Sequence, residues 1–113
     1  MPFVTYAIRD PRTGAYVYVG QSGRLAKRIA EHLRCGVRPR ARGGIKAWLH
    51  DTLASGVTPE FVELETAEFE EASLQSEAKW VKRLAREGHP LLNRWREHRE
   101  IIRVQHAVFS CIG

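Results

Sequence analysis

Tyr6, Tyr18, Arg28, His32, Glu77 and Asn93 are the side chains of this chain whose types and spacing could do chemistry. Arg28 and His32 stand one helical turn apart. Leu74, Val81 and Leu84 form a stripe at i, i+7 and i+10, and Glu77 fills its i+3 place. A carboxylate at such a position costs on the order of several kcal/mol unless it is paired or holds a metal. A structural salt bridge and a metal ligand both satisfy it. Asn93 follows the Gly88-His89-Pro90 break and reads either as a turn or capping residue or as a second polar ligand. A phenol, a guanidinium and a metal-binding carboxylate together suit phosphodiester hydrolysis.

The elements that must position these groups are legible from hydrophobic period and breakers. Val4, Tyr6 and Ile8 alternate with Thr5 and Ala7, predicting a strand over 4–8, and 15–19 predicts a second. The turn formers of 9–14 between them predict an antiparallel hairpin in which Tyr16 and Tyr18 share one face. Ser22 is placed to cap a helix over about 23–34 that Gly36 closes. Leu25, Ile29 and Leu33 supply its core stripe, and Arg28 and His32 border it. A helix over 45–54 carries Ile45, Trp48, Leu49 and Leu53, a strand follows over 61–64, and a long helix runs over 68–86. The stretch from Ile101 to Phe109 reads equally as strand or helix. The expected fold is α/β (α+β), a small, mainly antiparallel three-stranded sheet flanked by helices. No parallel β-α-β run with a Gly-rich turn is present, which argues against a Rossmann nucleotide site.

Length and composition bound the function. The 113 residues make one domain, 43% hydrophobic and 27% charged, with no apolar run long enough for a membrane span. Two cysteines, Cys35 and Cys111, build no disulfide framework and no Cys-x-x-Cys zinc site. With no signal-peptide pattern at the N-terminus, a cytoplasmic location is expected. Eighteen Lys and Arg against thirteen Asp and Glu give a net charge of +5, favouring a polyanionic partner. Arg34, Arg38, Arg40, Arg42 and Lys46 lie in an acid-free stretch, whereas Glu60, Glu63, Glu65, Glu68, Glu70 and Glu71 lie in a base-free one. Balanced solvated faces would explain this, as would a basic surface for phosphates with the acidic block turned away.

The order and spacing of the six residues resembles the GIY-YIG nuclease family. The first motif corresponds to Val4-Thr5-Tyr6, in which only the tyrosine matches, and the second to Tyr18-Val19-Gly20 followed by Gln21-Ser22. Arg28 comes ten residues after Tyr18, His32 one turn later, and Glu77 and Asn93 complete the pattern across 3–94. Some members carry Lys where this chain has Gln21, so no ammonium is expected there.

The resemblance implies a nuclease domain over 1–94. The basic and apolar extension over 95–113 is expected to pack on it or at a dimer interface. It implies a metal-dependent endonuclease acting on nucleic acid, DNA foremost, with one Mg²⁺ or Mn²⁺ held by Glu77. Arg28 would stabilise the scissile phosphate, Tyr6 or Tyr18 would serve as base, and His32 would orient phosphate or relay the proton. The catalytic set is thus Tyr6, Tyr18, Arg28, His32, Glu77 and Asn93, with Arg24, Arg34, Arg38, Arg40, Arg42 and Lys46 as phosphate-binding cations. A catalytically silent nucleic-acid-binding module of the same fold is the alternative. A homodimer or a targeting partner is left open, and no membrane partner is expected.

Overall fold

The computed structural model describes residues 2–37 and 44–93. Its elements are β1 (Phe3–Arg9), β2 (Tyr16–Ser22), α1 (Leu25–Val37), α2 (Gly44–Ala54), β3 (Glu60–Ala67) and α3 (Glu70–Arg86). The expected strand–strand–helix–helix–strand–helix order holds, as does the three-stranded antiparallel sheet. Arg38, Arg40, Arg42 and the 94–113 tail, with the dimer surface envisaged there, lie outside the described residues.

β1 is the middle strand of a sheet ordered β2-β1-β3 and pairs antiparallel with both neighbours. The hairpin between β1 and β2 is set by local chemistry. Asp10 accepts from the Arg12 backbone N–H at 2.9 Å and from the Arg12 guanidinium at 3.0 Å. Gly14 supplies a φ of 77°, in the left-handed region where a side chain is strained.

Thr5, Tyr6, Ala7 and Ile8 are all buried, so helices cover both faces of β1. Tyr6 and Ile8 pack with Val17, Tyr18, Ile45 and Leu49 beneath α1 and α2. Ala7 packs with Val19, Ala78, Val81 and Leu84 beneath α3. The result is three layers, with α1 and α2 on one side of the sheet and α3 on the other.

Several boundaries and faces differ from the sequence expectation. β2 runs on to Ser22, so α1 starts at Leu25, and the Ser22 hydroxyl instead accepts from the Arg24 backbone N–H at 3.0 Å. α1 continues through Gly36 to Val37. Tyr16 and Tyr18 do not share a face. Arg9 pairs with Tyr16 and Ile8 with Tyr18, which makes Val17 an extra, bulged residue and breaks the alternation. Tyr16 therefore packs on the α3 side and Tyr18 on the α1 side.

α3 departs most. Its fully buried face is Ser73, Ser76, Ala78, Val81 and Leu84, whereas Leu74 and Glu77 are only half-buried. Small hydroxyl residues let the helix approach the sheet, and each is satisfied. Thr5 donates to the Ser76 hydroxyl at 2.9 Å, and Ser73 donates to the Gln21 side-chain oxygen at 2.7 Å.

Candidate functional site

Tyr6 and Gly20 are cross-strand partners, and the Tyr6 ring lies over the glycine. A Cβ at Gly20 would stand 2.6 Å from the Tyr6 hydroxyl oxygen and 3.0 Å from Tyr18 Cε1. Absence of a side chain there is what lets the two phenols gather on one patch of sheet, with ring centroids 6.4 Å apart. His32 closes over them from α1. Its ring centroid lies 5.9 Å from that of Tyr6 and 5.5 Å from that of Tyr18, both edge-on.

His32 is therefore a core residue, only 7% exposed, while Leu25, Ile29 and Leu33 are half-buried. The apolar stripe alone placed it at the border. The sheet beneath α1 carries tyrosine hydroxyls, so a polar ring that can hydrogen-bond them fits better than a leucine.

Tyr6 Oη and His32 Nε2 are 2.8 Å apart. Burial, then the nearby Arg28 charge, push the imidazole down to about 4, with Glu31 offsetting part of the effect. His32 is thus neutral at pH 7. Arg28 is hydrogen-bonded to Tyr6 as well. Burial works against its charge, but the Tyr6 hydroxyl, Glu31 and the nearby Tyr18 together raise its pKa above the usual guanidinium value. A guanidinium can only donate, so the Tyr6 oxygen accepts from Arg28, and its own proton is available to His32 Nε2. Glu31 accepts from the other side of Arg28 at 3.2 Å.

Arg28 also faces solvent. With Ser22, Gly23, Arg24, Lys27 and Glu31 it lines an open pocket of about 220 Å³ where β2 runs into α1. Lys27 and Glu31 belong to this pocket and are not among the residues expected from the sequence. Their signal was present, since 24, 27, 28 and 31 recur at i, i+3, i+4 and i+7, the spacing of one helix face.

Glu77 and Asn93 come to the sheet elsewhere. Glu77 is on α3, in the layer opposite Arg28 and His32, one turn beyond the Ser73 that holds Gln21. Asn93 grips the outer edge of β2. Its amide donates to the Val19 carbonyl at 2.8 Å and accepts from the Val19 N–H at 3.1 Å. Leu92 donates to the Val17 carbonyl, and Tyr16 donates to His89 Nδ1. The 89–93 segment thus caps an edge that would otherwise expose backbone donors and acceptors. So Tyr6, Tyr18, Arg28 and His32 form one cluster, while Asn93 binds the outer edge of β2 and Glu77 belongs to the helix on the opposite side of the sheet.

Of the expected phosphate-binding cations, Arg24 is exposed at the head of α1, whereas Arg34 and Lys46 are exposed near its foot and at the start of α2. Ten residues of helix separate Arg24 from Arg34 by roughly 15 Å. The glutamates of β3 lie at the far sheet edge, across β1 from the pocket strand.

Among the described residues no group of three or more His, Cys, Asp and Glu side chains gathers to hold a metal. As the one carboxylate of a metal site, half-buried Glu77 fits only a hard cation that keeps most of its waters, as Mg²⁺ does. No helix among the described residues is long and apolar enough to cross a membrane. No protein-family model, curated protein or solved structure matches this chain.

Proposed function

We propose that this protein is a metal-dependent endonuclease of the GIY-YIG type, cleaving nucleic-acid phosphodiester bonds with DNA as the foremost substrate. The observation that carries the reading is the 2.8 Å contact between the Tyr6 hydroxyl and a neutral His32, beside the Arg28 that lines a cationic pocket.

Arg28 donates hydrogen bonds to a phosphate in that pocket, a planar guanidinium being matched to its oxygens. As negative charge builds on the phosphoryl oxygens, these bonds strengthen. Water attacks phosphorus and gives its proton to Tyr6 Oη, and the Tyr6 proton passes to His32 Nε2. A phenol with an ordinary pKa of about 10 needs such help, which a neighbouring cation and a neutral imidazole both supply. The P–O3′ bond breaks, and His32, a weak base with a pKa of about 4, gives its proton up through water to O3′, leaving a 5′-phosphate and a 3′-hydroxyl. Tyr18, against the same imidazole, is the second candidate base. Glu77, in the layer across the sheet, is the residue that would hold a divalent ion, Mg²⁺ or Mn²⁺, and such an ion would supply Lewis-acid chemistry.

A second reading has its own support. Tyr6 is 1% and Tyr18 4% exposed, as expected of phenols that organise a core. On that reading the same fold is a silent nucleic-acid-binding module. Incubation with supercoiled plasmid, single-stranded DNA and RNA, with and without Mg²⁺ or Mn²⁺, separates the two. Metal-dependent cuts that vanish in Arg28→Ala support the nuclease, and salt-sensitive binding without product supports the module.

A further inference from the structure

Arg24 and Lys27 stand in the pocket beside Arg28 but make no side-chain hydrogen bond or ion pair among the described residues. Arg28, by contrast, is already engaged by Tyr6 and Glu31. Three cations therefore face one cavity that holds a single acid, Glu31. Two of those cations are uncommitted. Arg24 precedes the first turn of α1, whose backbone N–H groups have no partner within the helix and favour an anion.

We propose that this pocket is a two-phosphate subsite. Arg28 takes the scissile phosphate, and Arg24 with Lys27 takes the neighbouring phosphate of the same strand. Glu31 is the competitor. It occupies the outer side of Arg28 in the free protein, so an arriving phosphate must displace it or share the guanidinium. An isolated phosphate gains one cation against that competition, whereas two linked phosphates gain all three. The pocket therefore selects a strand that continues past the cleaved bond. This inference rests on the phosphodiester reading above.

The test is fluorescence-anisotropy binding of labelled oligothymidylate in EDTA over a salt series. Lys27→Gln and Arg24→Gln are compared with Lys82→Gln, an equal charge loss on the exposed side of α3. Circular dichroism confirms that each variant folds. Lys27→Gln and Arg24→Gln should each make the slope of log K against log salt shallower by about 0.7, the release expected of one single-strand phosphate contact. Lys82→Gln should match the unaltered protein, and Glu31→Gln should bind several-fold tighter. Equal slopes for Lys27→Gln and Lys82→Gln overturn the subsite, because the charge then acts diffusely. Unchanged affinity in Glu31→Gln removes the competitor. If the protein cleaves DNA while those slopes are equal, the subsite fails and the nuclease reading stands. If the slopes differ as stated but no metal yields product, the nuclease reading fails and the subsite stands as a binding site.

Discussion

Gly20 lies beneath the Tyr6 ring so closely that a Cβ there would stand 2.6 Å from the hydroxyl oxygen. The glycine of the second motif is thus explained by what crosses it. Gly20→Ala must push the phenol off His32 or spread β1 from β2. The expected cost is about 1–3 kcal/mol, as for other overpacked core positions. Chemical denaturation measures it, and an unchanged midpoint would show that the ring has room to move.

His32 gives stability a pH window. Its folded pKa of about 4 lies below the ordinary value of 6.5. Between these values the unfolded chain binds the proton more readily, so stability is present above about pH 6.5 and is lost as pH falls towards 4. Asp10 and Glu65, both lowered by hydrogen bonds to a neighbouring cation, keep their own stabilising contribution until the pH falls lower still. The urea midpoint should therefore fall between pH 6.5 and 4.5 in the parent and stay flatter in His32→Gln. Parallel profiles would place the charged imidazole comfortably in the fold.

Arg28→Ala and Glu77→Ala separate two layers of the proposed site. Arg28→Ala should lower turnover about a hundredfold or more, as loss of an electrostatic stabiliser does. Glu77→Ala should abolish metal-dependent cleavage while DNA binding persists, and EDTA should reproduce it. Glu77→Ala cutting at the parental rate would take the metal away from α3.

Asn93 is bound at both ends of its amide to Val19. Asn93→Ala leaves the Val19 groups without these partners and should destabilise the fold by about 1–3 kcal/mol. If its work is to close the β2 edge, cleavage per folded molecule at low temperature should change by only a few-fold. A loss matching that of Arg28→Ala would instead make Asn93 part of the chemistry.

Thr5 and Ser76 offer a test of the α3 interface. Removing one hydroxyl strands the other in a buried site, at about 1–3 kcal/mol, whereas Thr5→Val with Ser76→Ala removes both and should come out close to neutral. Thermal unfolding of the two single variants and the double measures the coupling.

By itself the sequence determined the order of elements, because alternation at 4–8, helical spacing at 45–54 and the Gly and Pro breakers are local signals. It also determined that Tyr6, Tyr18, Arg28 and His32 could meet, since a hairpin followed at once by a helix leaves short connections and few arrangements. Local signals did not reach further. The Val17 bulge that parts Tyr16 from Tyr18 depends on pairing with β1, which periodicity within β2 does not record. His32 is buried because of the hydroxyls opposite it, and Ser73 and Ser76 face the sheet because Thr5 and Gln21 wait there. Polar residues earn core positions only through partners distant in sequence, and only the tertiary structure names those partners. For the same reason it alone decided that Glu77 sits in the other layer and that Asn93 holds the edge of β2.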